Sequence, residues 1–239
     1  MVEKEAEWEC TMQPHHEYLG NLQPSPGPIG LDDLCGEYIV RYDMLDDYCS
    51  SDEVKTLHIE QPSSRSSHGV TASFDYGMVE GTMLLAMSDV ALHQLREDVE
   101  SDSDVESEVE SDEDEEYTYC TDDFGFTKRK VKTNPGLVPF SRRLGSESSI
   151  PNRVYLQWAG RETGEGEIQL DTENENTGYL DFDASKAASQ GEFMYPAFFG
   201  RRHIPIAIWK VSAQSSVSPE PWIQFNEKAY RRAADARWS

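Results

Sequence analysis

Val70-Thr-Ala-Ser-Phe-Asp-Tyr76, then Gly77-Met-Val-Glu-Gly81, then Thr82-Met-Leu-Leu-Ala-Met87, reads as two strands about a turn. Val70, Ala72, Phe74 and Tyr76 alternate with Thr71, Ser73 and Asp75, which is the period of a strand with one apolar face. The return segment is apolar at successive positions, so burial on both faces is expected. Two glycines supply the turn, and the three pieces together predict a hairpin.

Working outward, Gly36-Glu-Tyr-Ile-Val-Arg-Tyr42 is rich in aromatic and β-branched residues, and Lys55–Ile59 places Leu57 and Ile59 on one side. Both predict strands. Ser88-Asp89 predicts the cap of a short helix running to about Glu97. A second block begins at Arg153. Val154, Leu156 and Trp158 alternate over Arg153–Arg161, the turn Glu162-Thr-Gly-Glu-Gly166 follows, and Glu167–Asp171 returns. Gly178–Asp183 predicts another strand, Ser185–Gln190 a helical turn, Ile204–Val211 a strand and Asn226–Trp238 a helix. Pro205 donates no backbone hydrogen bond and predicts a sheet edge there.

The chain therefore predicts a mainly β fold with short helices. Each block has too few strands to stand alone, so the two hairpin-containing halves are expected to pair into one sandwich or partly open barrel. The expected layout is a disordered leader over 1–30, a first half over 31–96, a disordered insertion over 97–152, and a second half with a terminal helix over 153–239. The leader is expected on account of Pro14, Pro24, Pro26 and Pro28; Trp8 and Tyr18 are its candidates for docking back.

The 239 residues carry a formal charge of −24, unevenly spread. Residues 97–123 hold 15 Asp and Glu and no Lys or Arg. Such a run cannot build a core, and it repels phosphates, which argues against nucleic acid as the ligand of the whole chain. Residues 124–153 are then basic, with seven Lys and Arg against one Glu. Cys10, Cys35, Cys49 and Cys120 show neither zinc-ligand spacing nor a disulfide framework, as suits a reducing compartment. The start, Met1-Val-Glu-Lys-Glu-Ala-Glu, is acidic and predicts no secretory or transit peptide. No apolar run approaches the roughly 20 residues of a membrane span. These features predict a soluble intracellular protein without a membrane partner.

Ser101, Ser103, Ser107 and Ser111 each stand three residues before an acid, which suits acid-directed kinases. Lys128-Arg129-Lys130-Val-Lys132 fits a nuclear-import cluster, or a counterweight to the acids. Nucleus is therefore expected over cytoplasm. Glu80, Glu162 and Glu165 are the candidate carboxylates of a pocket between the hairpins. Against that, a Gly-x-Gly turn with solvated acids accounts for the same residues. The histidines are scattered, and no nucleophile stands in a Gly-x-Ser-x-Gly setting. No catalytic residue, cofactor or metal is predicted.

Gly36-x-Tyr-x-Val40, Ala72-Ser-Phe-Asp-Tyr-Gly77 with Glu80-Gly81, Arg161-Glu-Thr-Gly-Glu-Gly-Glu-Ile168 and Ala229-Tyr-Arg-Arg…Arg237-Trp238 resemble a family of filamentous-fungal proteins without an established activity. The resemblance covers about 31–96 and 153–238; Tyr42–Ser51 departs from the pattern. It implies a single β-rich body with a charged insertion, and no site residues. The function expected is a non-catalytic nuclear protein-interaction module whose acidic tract contacts basic, histone-like partners. Two other readings stand beside it: an enzyme with a carboxylate-lined pocket, and a β adaptor whose tract is a solubilising spacer.

Overall fold

The computed structural model describes residues 2–23, 26–42, 54–62, 67–101, 152–171, 175–200 and 202–237. Nine strands form one antiparallel sheet: β1 (Gly36–Arg41), β2 (Lys55–Ile59), β3 (Val70–Asp75), β4 (Val79–Ala86), β5 (Arg153–Glu162), β6 (Ile168–Gln169), β7 (Thr177–Phe182), β8 (Ala188–Met194) and β9 (His203–Ser212). β4 pairs with β5 across the insertion, and β1 pairs with β9. The sheet therefore closes into an eight-stranded barrel rather than stopping at a sandwich or a partly open barrel. The extra strand, β6, pairs with β5 at Gly160 and Arg161, beyond the stretch that pairs with β7. Both run antiparallel to β5 on the side away from β4, so they are one wall interrupted by residues 170–176.

The alternation read from sequence sets the inside of the barrel. Val70, Ala72, Phe74 and Tyr76 point inward with Met83, Leu85, Leu156, Trp158, Phe193 and Ile206. Outside, Leu84 and Ala86 face α3 (Asp89–Ser101) through Leu92 and Leu95. A single turn, α4 (Pro196–Phe199), joins β8 to β9. Ala159 and Ile168 face a short 3-10 turn, Trp222–Phe225, and α5 (Glu227–Arg237) through Phe225 and Ala229. β4 thus buries both faces, as its unbroken apolarity requires.

Two expectations are corrected. The leader expected over 1–30 is not structureless: α1 (Val2–Asn21) is a helix on the outside of β9. Trp8, Met12 and His15 fall at helical spacing. Met12 and His15 are buried, and Trp8 meets Trp209 edge-on with ring centroids 5.2 Å apart. The His15 Nδ1–H donates to the Lys210 carbonyl at 2.8 Å. These contacts hold the helix across Pro14, which would otherwise break it. Secondly, Ser185–Gln190 is not a helical turn. A tight turn at Asp183–Lys186 leads into β8, in which Ser189, Gly191 and Phe193 share a face. Gly191 lacks a side chain there because a Cβ would lie 1.9 Å from the Tyr179 carbonyl oxygen. Pro205 stands at a local sheet edge, as expected: it pairs with Glu192 of β8, while the register with β1 ends at Arg41↔Ala207, short of the proline.

α3 extends through Ser101, so the first acids of the run, Glu97, Asp98 and Glu100, are helical rather than part of a structureless insertion. The rest of the insertion lies outside the described residues.

One end of the barrel is closed by Ile29 and by α2 (Leu31–Leu34), whose Leu34 is fully buried. Asp33 pins this plug. Its carboxylate accepts from the Gly30 N–H and from Lys186 Nζ, both at 2.9 Å, while its carbonyl accepts from Lys210 Nζ at 2.7 Å. Partial burial opposes ionisation of Asp33, but the Lys186 and Gly30 hydrogen bonds outweigh it and hold the carboxyl below its ordinary value. A depressed folded-state pKa gives stability that is present above the unfolded value and lost as pH falls through the folded one. Asp33→Asn is therefore expected to cost about 1 kcal/mol at pH 7. Urea unfolding should show the gap from wild type closing below about pH 4.

Candidate functional site

The structure separates the three candidate carboxylates. Val79 pairs with Glu162 and Glu80 with Arg161. Val79 belongs to the interior, so Glu162 takes the inner side of the wall and Glu80 the outer, because paired residues share a face. Glu165 is exposed in the β5–β6 turn. No acid–base pair is assembled from them.

The Arg161–Ile168 string is explained by its turn. Gly166 has φ of 68° and donates its N–H to the Glu162 carbonyl. Thr163 latches this turn to the β3–β4 turn: its hydroxyl donates to the Gly77 carbonyl at 2.6 Å, and its N–H to the Met78 carbonyl at 3.0 Å. Arg161 points outward to the Glu220 carboxylate and lies over the Phe225 ring. The string thus ties two hairpins and the C-terminal cover together.

The histidines stay apart from one another's chemistry. His68 faces Asp98, His93 faces Glu97 and His203 faces Glu192, at 3.1, 3.4 and 3.3 Å. No cluster of three metal-ligating side chains occurs among the described residues. Ser101 is exposed at the end of α3, with its hydroxyl donating to the Glu97 carbonyl at 2.8 Å. Ser103, Ser107, Ser111 and the basic residues Lys128, Arg129, Lys130 and Lys132 lie outside the described residues. No described helix is long and apolar enough to cross a membrane.

Two places in the fold carry chemistry that sequence reading did not single out. At the barrel end opposite the plug, Tyr42, Tyr76 and Tyr195 are fully buried among Phe74, Trp158 and Phe193. Burial pushes all three phenols far above their ordinary value, so they are neutral at any physiological pH. The Tyr42 and Tyr195 hydroxyls meet no hydrogen-bonding group among the described residues.

The second place is a shallow groove of about 580 Å³ on the outer face of β7, β8 and β9. The register makes it a grid. Tyr179, Glu192 and Pro205 form one row; Asp181, Gln190 and Ala207 form the next; Ala188 and Trp209 form the third. Ala188 and Ala207 are small, and the larger residues stand around them. Asp183 closes one side from the β7–β8 turn. Arg153 stacks over Tyr179, with its guanidinium carbon 3.8 Å from the ring centroid, and makes two hydrogen bonds to Asp181, at 2.7 and 2.6 Å. These bonds hold the Arg153 pKa up, against partial burial. Burial and Glu192 raise Tyr179. The signal for this surface was the alternation of Gln190 and Glu192 with Ser189, Gly191 and Phe193, hidden by the glycine and the serine.

Comparison of the chain with family models, curated proteins and solved structures returned no match.

Proposed function

We propose that the protein is a non-catalytic interaction module of the nucleus, whose acidic tract contacts basic, histone-like proteins. The observation that carries this reading is the run of 15 acids without Lys or Arg over 97–123. It is inserted between two adjacent strands of a closed barrel whose interior is filled by side chains. A long insertion of this kind costs the fold little, because closure entropy grows only logarithmically with length. It presents a dense negative charge beside a rigid body. Phosphorylation of Ser101, Ser103, Ser107 and Ser111 would add roughly −1.5 to −2 per site and strengthen the contact. Lys128, Arg129, Lys130 and Lys132 would direct nuclear import. The enzyme reading is disfavoured by the placement of Glu80 and Glu162 on opposite sides of the wall. The spacer reading differs in one measurable respect, which is salt-sensitive binding.

The test is capture of purified core histones by the full chain and by a variant whose acids over 102–116 are replaced by Ser and Gly. Binding to the full chain is expected to be about tenfold tighter at low salt, and the difference should shrink at high salt as screening sets in. Equal binding by both versions at every salt concentration would make the tract a spacer. Loss of binding on Glu162→Gln would point instead to the carboxylate reading.

A further inference from the structure

We infer that the outer groove on β7, β8 and β9 is a second contact surface, which takes arginine side chains from a basic partner segment. The inference rests on the partner class proposed above, but on a different part of the molecule. α1 lies on β9, α3 lies on β4 and β5, and α5 lies on β6. The outer residues of β7 and β8 stay half-buried to exposed, with Gln190 the most open of them. Over β7 and β8 no described helix is packed, and at the β9 margin Trp8 of α1 meets Trp209 edge-on.

Its chemistry selects the occupant. Asp181, Asp183 and Glu192 line the groove, and no Lys or Arg is among the lining residues. Arg153, at the margin, satisfies Asp181. Asp183 and Glu192 remain as negative charge that no lining cation matches. Glu192 stands beside His203 at 3.3 Å. The aromatic lining is Trp209 at one corner and Tyr179 at the other. Ala188 and Ala207 keep the floor flat between them, so a planar group can lie on the sheet.

The molecule already shows the mode of recognition. Arg153 lies flat on Tyr179 and forks onto Asp181 with two hydrogen bonds. On the β9 side, Trp209 and Asp183 flank Ala188 and repeat the same elements, an aromatic surface and a carboxylate in one row. A guanidinium is planar, weakly hydrated and forked, so it satisfies stack and carboxylate together. An ammonium is compact and strongly hydrated, and it does so poorly. The acidic tract, in contrast, attracts either cation by charge alone.

That contrast sets the experiment. Binding of a labelled Arg-Gly repeat peptide and a Lys-Gly repeat peptide of equal length is measured on the full chain by fluorescence anisotropy. The arginine peptide is expected to bind about fivefold tighter. The preference should disappear in Asp183→Asn/Glu192→Gln, and also in Ala207→Arg, which puts bulk and positive charge on the floor. Both variants are at solvent-reached positions. Equal affinity for the two peptides in wild type would overturn the inference. So would a preference that survives both variants, or displacement of the arginine peptide by a neutral oligosaccharide. Replacing the acids over 102–116 should weaken both peptides alike and leave their ratio intact. A failure of the tract reading therefore shows in the absolute affinities, and a failure of the groove shows in the ratio.

Discussion

Trp158→Ala is expected to lower stability by about 4 kcal/mol. Trp158 is fully buried at the middle of β5. Phe193 stacks on it at 5.1 Å and 18°, while Phe74 and Tyr195 meet it edge-on at 5.8 and 5.2 Å. Its indole N–H donates to the Met194 carbonyl at 2.9 Å. Truncation removes the largest side chain of the interior, leaves a cavity that the surrounding strands cannot collapse to fill, and orphans the carbonyl. Guanidinium unfolding should show a lower midpoint with an unchanged slope. Trp158→Phe keeps most of the volume and should lose about half as much. A loss under 2 kcal/mol for the alanine variant would mean that the barrel interior is less tightly packed than the ring geometry shows.

Tyr42→Phe/Tyr195→Phe is expected to move stability the other way, by about 2 kcal/mol for the pair. Each hydroxyl is buried with no protein group to bond among the described residues. Such a group carries a desolvation cost without return, and the phenylalanine has the same shape without it. The rings keep their edge contacts, including Tyr42 on Phe193 at 5.9 Å. Thermal and denaturant unfolding of the single and double variants measure the effect. The two phenols are close enough for Tyr195 to act on Tyr42, so the gain of the double variant is expected to differ from the sum of the singles. A double variant less stable than wild type would show that something other than protein hydrogen-bonds these hydroxyls.

Sequence reading identified strands from apolar alternation or, for β4, from an unbroken apolar run. Val70–Tyr76, Arg153–Arg161 and Ile204–Val211 each have bulky inward residues at every second position, and each is a strand. β8 escaped because its inward positions include the polar Ser189 and also Gly191, where the neighbouring wall comes too close for a side chain. With β8 missing, neither the closure of the barrel nor the groove beside it was legible. α1 escaped for a different reason. Four prolines in the first 30 residues outweighed the stripe Trp8, Met12 and His15, which is stabilised by β9 rather than by the helix itself. The separation of the candidate carboxylates was not legible in the sequence, because it depends on register: one residue of offset puts Glu80 and Glu162 on opposite sides of one wall.

The two seams that close the barrel join distant parts of the chain. β4 meets β5 across more than 60 residues, and β1 meets β9 across more than 160. Neither seam can form until the second block exists, so folding is dominated by late, non-local pairing and should be slow for a domain of this size. During synthesis the first block, β1 to β4, has two unpaired edges, and an exposed edge is a template for association with another chain. The next residues to emerge are α3, which covers Leu84 and Ala86, and then the acidic run. A stretch of like charge directly after an unfinished sheet keeps nascent copies apart until β5 arrives. From its position in the chain, the tract is expected to limit association of the incomplete barrel, whatever partner it later meets.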